Sequence, residues 1–328
     1  MSISDIHSWS TALAVSFPQE LSHTRSSQLV LLAWIYGFMG FSSLVTLLHP
    51  RFSRPESIRT RQAVNGWWPS ALVAGAAAVG GPILAVPLFG ILSGWTLHEY
   101  LRMLPREGQD DRIDLLAFGA IPLHYAALVT GNERLFFGGI LFWTFAVLPL
   151  ATASLRGPDA MLTRLPRIQL GLMLTVLALS HVPRIFFMPE LSSSETSGLA
   201  AFLLLSVMFS DAWQFFCGKL LGRHPLAPVL SPKKTWEGLI GGAIIVSGIA
   251  AAATPLVAPW SRTVGAALGL ALCVTGLLGD LLVSALKRGA GIKDTGSVLP
   301  GQGGVLDRCD SLLLSAPLYV YGISAWLG

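Results

Sequence analysis

The chain has 328 residues, of which 52% are hydrophobic and only 12% charged, with a mean hydropathy of +0.62. This composition lies outside the soluble globular range. A soluble all-α core would need amphipathic helices with charged outer faces. Those are missing, so the chain reads as an all-α, polytopic integral membrane protein with no room for a sizeable soluble domain.

In chain order, the first 26 residues lack a basic start followed by an apolar run, so no cleaved signal peptide is expected. The first clear span covers about 27–48, and a basic linker with Arg51, Arg54, Arg59 and Arg61 follows it. The apolar run 67–100 is too long for one crossing at roughly 20 residues per helix. Gly80-Gly81-Pro82 sits mid-run and predicts a tight turn between two helices. Further spans are predicted at about 114–130, 134–153, 167–188, 196–217, 238–258, 263–286 and 311–327. The total is about ten transmembrane helices, read as two regions of one continuous membrane domain, 1–200 and 201–328.

Charge distribution supports that count. With ten spans, all of the 22 Lys and Arg except Arg25, Arg134, Arg184 and Arg262 fall on one face, as the positive-inside rule asks of the cytoplasmic side. If 67–100 crossed once, that bias would largely vanish. Cys217, Cys273 and Cys309 fit neither a disulfide framework nor a zinc site.

Two loops carry the remaining polarity, 210–238 and 287–310. Two spans separate them, so they emerge on the same side whatever the absolute orientation. Asp280, Ser284, Lys287 and Arg288 fall at i, i+4, i+7 and i+8, which puts them on one helix face. A carboxylate there needs a metal ion or basic partners, and an internal salt-bridge stripe is the structural alternative. Asp307 and Asp310 share a face if their stretch is helical, and beside Lys293 and Arg308 they suggest a divalent cation bridging to phosphate. A carboxylate pair capping a helix start is the alternative. Lys233 and Lys234 follow a proline-fixed turn, Thr235 is placed to cap the next helix, and Asp211 lies in an apolar helix end eight residues before Lys219. Glu99, near a charged helix end, is within reach of the site, whereas His124 reads as a helix-packing residue. Such a set suits phosphoryl or nucleotidyl transfer to a lipid, where positioning and charge stabilisation carry most of the chemistry. Composition alone does not choose between that enzyme and an anion carrier.

The chain resembles the phosphatidate cytidylyltransferases, or CDP-diacylglycerol synthases. Ser284-Ala-Leu-Lys287-Arg288, four residues, Lys293-Asp294, then Pro300-Gly-Gln302-Gly-Gly304, two residues and Asp307-Arg308-Cys-Asp310 is similar to that family's signature. Asp211, Gly218-Lys219, Ser231-Pro-Lys233-Lys234-Thr-Trp-Glu-Gly238 and Gly279-Asp280 resemble its upstream blocks. The likeness is specific over about 205–317 and only general over 1–200.

The resemblance implies a Mg²⁺-dependent enzyme of phospholipid biosynthesis in the cytoplasmic (inner) membrane, with its site facing the cytoplasm and a second cation as an option. Its substrates would be CTP and phosphatidic acid or a related lipid phosphate, its products CDP-diacylglycerol and pyrophosphate. Membrane lipids and a second copy, as a homodimer, are the implied partners, and nucleic acid is not. Carried over by position, Asp280, Asp307 and Asp310 are the metal candidates. Lys287, Arg288, Lys293, Asp294 and Arg308 complete the catalytic set, and Asp211, Lys219, Ser231, Lys233, Lys234, Ser284 and Gln302 the substrate-binding one. One position departs, since the family pattern has His where this chain has Gln302. Gln hydrogen-bonds but does not change charge near neutral pH. That substitution and the divergent N-terminal half point to a paralogue, slow, altered in substrate or inactive. Beside transfer to phosphatidic acid, the alternatives are another lipid phosphate as substrate, a non-catalytic lipid or anion carrier, and a degenerate regulatory subunit.

Overall fold

Long apolar helices hide their flanks only by packing side by side or facing lipid, and the chain folds as a helical bundle. The computed structural model describes residues 33, 36–37, 39–40, 43–44, 67–105, 112–258, 260–296, 298 and 303–327. Most of the span expected at 27–48, the basic linker after it and Gln302 lie outside the described residues.

Helix α1 covers Trp67–Met103 and breaks at Gly81, where φ 57° and ψ −151° join two helices across a kink. A residue without Cβ tolerates that positive φ, and Pro82 withholds an amide from the ladder. The break falls where the sequence expects one, as a kink in a continuous helical run. Next come α2 (Arg112–Val129), α3 (Glu133–Phe142), α4 (Leu148–Arg156), α5 (Asp159–Thr163), α6 (Leu165–Leu172) and α7 (Ala178–Arg184). One-turn π-helical segments, Trp143–Val147 and Met173–Leu177, splice α3 to α4 and α6 to α7 into longer rods. The second half holds α8 (Ser193–Leu221), an antiparallel hairpin of β1 (Pro225–Ala227) and β2 (Ser231–Thr235), α9 (Trp236–Val257), α10 (Arg262–Gly289), α11 (Leu306–Cys309) and α12 (Leu312–Leu327).

Polar residues start the long helices of this half. Ser192 and Glu195 form a reciprocal capping box at α8. Thr235 Oγ1 accepts from the Gly238 amide at α9, and Ser261 Oγ from the Val264 amide at α10. Each cap satisfies an orphaned amide where the chain enters an apolar environment.

Among the described residues, seven helices are long and apolar enough to cross a membrane. The sequence predicts about ten; α12 is a shorter helix of 16 residues, the first predicted span is mostly outside the described set, and the run expected to cross twice is one kinked helix counted once, Trp68–Met103. The rod Leu165–Phe187 and helix α8 are the most enclosed, with 72% and 67% of their apolar windows buried, against at most 44% for the others. They form the bundle's centre. Outer helices turn residues such as Ile83, Leu115, Leu150 and Ile244 outward, as a lipid-facing surface should.

The charged helix ends gather at one end of the bundle. Tyr100 donates to the Arg167 carbonyl at 2.9 Å, and the Arg164 guanidinium reaches both oxygens of Asp114 at 2.7 and 2.8 Å. At the opposite end Arg184 pairs with Glu133 and lies over the Phe136 and Phe137 rings. His124, as expected, serves packing there, with Nε2 2.7 Å from Ser180 Oγ.

Candidate active site

The site occupies the charged end, where α8, α9 and α10 pack in succession and the hairpin β1–β2 closes over their tips. Helix α10 carries two polar stations on one face. Asp280 and Lys287 are two turns apart, about 10 Å along the axis.

At the first station Lys234 Nζ, from β2, sits 2.5 Å from Asp280 Oδ2, and Ser284 Oγ donates to Asp280 Oδ1 at 3.3 Å. Asp310 joins because α10 approaches it closely: a Cβ on Gly279 would collide with the Asp310 carbonyl. Ser311 then ties in Asp211 of α8. Its hydroxyl lies 3.0 and 2.9 Å from the two Asp211 oxygens and 3.4 Å from Asp310 Oδ1, while its amide donates to that same Asp310 oxygen at 2.8 Å. Asp211, Asp280 and Asp310 thus come from three separate segments to one place. Burial pushes the Asp310 carboxyl well above the usual carboxylate range, and the nearby Asp280 and Asp211 push it further. Gathered carboxylates of this kind favour a cation between them.

The second station is more tightly bonded. Lys287 Nζ meets Asp307 Oδ1 at 2.6 Å, while Asp307 Oδ2 accepts from the Thr295 amide (2.8 Å), the Thr295 hydroxyl (2.9 Å) and the Gly304 amide (2.9 Å). Burial alone would raise the Asp307 carboxyl, but these donors outweigh it and hold it below the ordinary range. Gly303 adopts φ +85°, and a Cβ there would strike Asp307. Glu99, at the end of α1, accepts from the Val305 amide at 3.0 Å and the Leu306 amide at 2.8 Å, and lies 2.9 Å from the Thr295 hydroxyl oxygen, whose single proton it competes for with Asp307. It caps α11 from about 200 residues away and fixes the loop that carries Asp307.

The sequence-predicted residues therefore divide. Asp211, Lys234, Asp280, Ser284 and Asp310 meet at the first station, and Lys287 and Asp307 at the second. Arg308 lies close enough to Asp310 to oppose the rise of its carboxyl. Lys233, Arg288, Lys293 and Asp294 are exposed around this end, and Lys219 lies over the Phe215 ring on α8. Ser231 begins β2. The two loops expected on one side do come together: Lys234 and Asp211 of the first lie within electrostatic reach of Asp310 of the second.

Sequence reasoning named Glu99 only as within reach and did not single out Thr295 or Ser311. Both are the next residue after a predicted aspartate, which was the available signal. Cys217, Cys273 and Cys309 are free and buried.

A membrane bundle with a cluster of carboxylates, lysines and arginines at one end defines the class. The cytidylyltransferase family profile matches residues 61–326, and the chain belongs to that family. It is 31% identical over 261 residues to the protein YnbB of Escherichia coli, covering 79% of this chain and 86% of that one. It is 43% identical over 136 residues to a phosphatidate cytidylyltransferase of Mycobacterium bovis, or 40% of this chain and 41% of that enzyme. A phosphatidate cytidylyltransferase of Synechocystis is 39% identical over 149 residues, 43% of this chain and 50% of that one. The chain thus spans half or less of these two named enzymes.

Proposed function

We propose that this protein transfers the cytidylyl group of CTP to a lipid phosphate, with phosphatidic acid as the first substrate to test, at the charged end of the bundle. We place that end at the cytoplasmic face of the inner membrane. The observation that carries the reading is the convergence of Asp211, Asp280 and Asp310, beside Lys234 and Arg308, in a member of the cytidylyltransferase family.

A lipid phosphate oxygen attacks the α-phosphorus of CTP, the bond from that phosphorus to the α–β bridging oxygen breaks, and pyrophosphate leaves. The lipid phosphate is already ionised near neutral pH, so no strong general base is required. Lys234 and Arg308, with the exposed Lys233, Arg288 and Lys293 around them, supply positive charge for the triphosphate and lipid phosphate. The Lys287–Asp307–Thr295 network and Glu99 hold the intervening loop still.

Mg²⁺ fits this donor set. No three His, Cys, Asp or Glu side chains among the described residues form a self-sufficient metal site. A nucleotide-bound Mg²⁺ does not need one, because phosphates and waters fill much of its octahedral shell and one or two carboxylates suffice. Asp280, with one of its neighbours Asp211 and Asp310, would hold it, and it would neutralise charge on the phosphates when bound. Asp307, whose oxygens are committed to Lys287, Thr295 and Gly304, acts in this reading as the organiser of the loop.

A different lipid phosphate is the second reading, favoured by Gln302 where the family pattern has His. Purified protein given CTP, Mg²⁺ and a panel of lipid phosphates is expected to release pyrophosphate with at least one of them. Release with none would overturn the proposal.

A further inference from the structure

Two lysine–aspartate pairs stand on α10, and they differ. Lys287–Asp307 is closed: the side chains are 14% and 6% exposed, and the second Asp307 oxygen takes three more donors. Lys234–Asp280 is open: the side chains are 21% and 27% exposed, and among the described residues the other hydrogen bond to Asp280 is a 3.3 Å contact from Ser284. The closed pair is the more deeply buried of the two, whereas each side chain of the open pair keeps a fifth or more of its surface exposed.

The surroundings also differ. Asp280 is gathered with Asp310 and Asp211 through the Gly279 approach and the Ser311 bridge. Without positive charge such a group repels itself apart. The charge paired with Asp280 is the Lys234 ammonium, a compact cation on a flexible stem. That lysine comes from a two-stranded hairpin at the bundle's tip, paired Pro225↔Thr235 and Ala227↔Ser231, so the side chain can leave without unpacking a helix.

We propose that Lys234 is an exchangeable counter-ion: before nucleotide and cation bind it neutralises Asp280, beside Asp211 and Asp310, and it cedes that carboxylate to a divalent cation by swinging onto the nucleotide phosphates. The inference rests on the cytidylyltransferase reading above. It gives Lys234 two successive partners, carboxylate before binding and phosphate after. It also makes nucleotide and divalent cation bind cooperatively, because each accepts what the other displaces.

Mn²⁺ binding to the purified full-length protein without nucleotide, followed by electron paramagnetic resonance, tests this directly. Lys234→Met is expected to bind Mn²⁺ about tenfold more tightly than wild type, the competing charge being gone. It should also melt at a lower temperature in EDTA and recover when Mn²⁺ is added. Lys234→Arg, which keeps the charge, should bind Mn²⁺ as wild type does, and Asp280→Asn should lose binding. Should Lys234→Met fail to survive purification, Lys234→Gln must show the same tightening. Unchanged or weaker Mn²⁺ affinity in the lysine variants overturns the counter-ion role while leaving the transferase reading intact. Absence of Mn²⁺ binding in every protein, with pyrophosphate release persisting, overturns it too; absence of both removes the parent reading as well.

Discussion

Glu99 is the residue that changes most between sequence and structure. In the sequence it is one carboxylate near a helix end; in the fold its two oxygens receive the Val305 and Leu306 amides, with the Thr295 hydroxyl oxygen 2.9 Å away. Glu99→Gln keeps the shape but turns an NH₂ group toward at least one of these donors. An unmet buried polar group costs about 1–3 kcal/mol. Thermal unfolding of the variant in detergent is therefore expected to show a lower midpoint than wild type. Turnover should fall with it, since the loop bearing Asp307 loses its cap, and Glu99→Asp should recover only part of either loss. Unaltered stability and turnover in Glu99→Gln would contradict the capping role. The aspartates were legible because a charge inside an apolar sequence stands out. Glu99, about 200 residues from its partners, gave no local sign of them, and Thr295 and Ser311 are residue types common in any loop.

At the scale of elements, helix α10 does most to build the site. Its i, i+4, i+7 spacing placed Asp280, Ser284 and Lys287 on one face from sequence alone, and the structure keeps that face. The division of the face into two stations was not legible, because it depends on which loop reaches which turn. Gly279 sets the first station by letting the Asp310 backbone approach. Gly279→Ala places a methyl group in that contact, and overpacking of this kind costs about 1–3 kcal/mol. The expected outcome is a protein whose far-ultraviolet circular dichroism remains helical but whose transferase activity falls at least about tenfold. Wild-type activity in Gly279→Ala would show that the approach does not matter. The hairpin was read only as a charged loop with a capping threonine. Its strands are three and five residues long, too short to leave a periodic pattern.

Across the whole molecule, composition made the membrane class readable, and the two spans between the charged loops made their common side readable. The kink at Gly81 came from a local Gly-Gly-Pro signal. Which helices lie at the centre could not be read, because nearly all spans are equally apolar; burial by neighbours distinguishes α8 and the Leu165–Phe187 rod. Helix α8 packs against α1 as well as α9, and Glu99 reaches from α1 into the signature loop. The C-terminal half should therefore not stand alone. A chain starting at residue 190 is expected to aggregate or elute heterogeneously on size exclusion, and a monodisperse, active fragment would contradict this packing.

The central claim is that the Asp280 station supports transfer from CTP to a lipid phosphate. Pyrophosphate release with CTP, Mg²⁺ and phosphatidic acid or a related lipid phosphate, compared between wild type and Asp280→Asn, tests it most directly. The account predicts clear lipid-dependent release by wild type and a loss of about 10²–10³-fold in the variant. Equal release by both, with each protein folded, would contradict it.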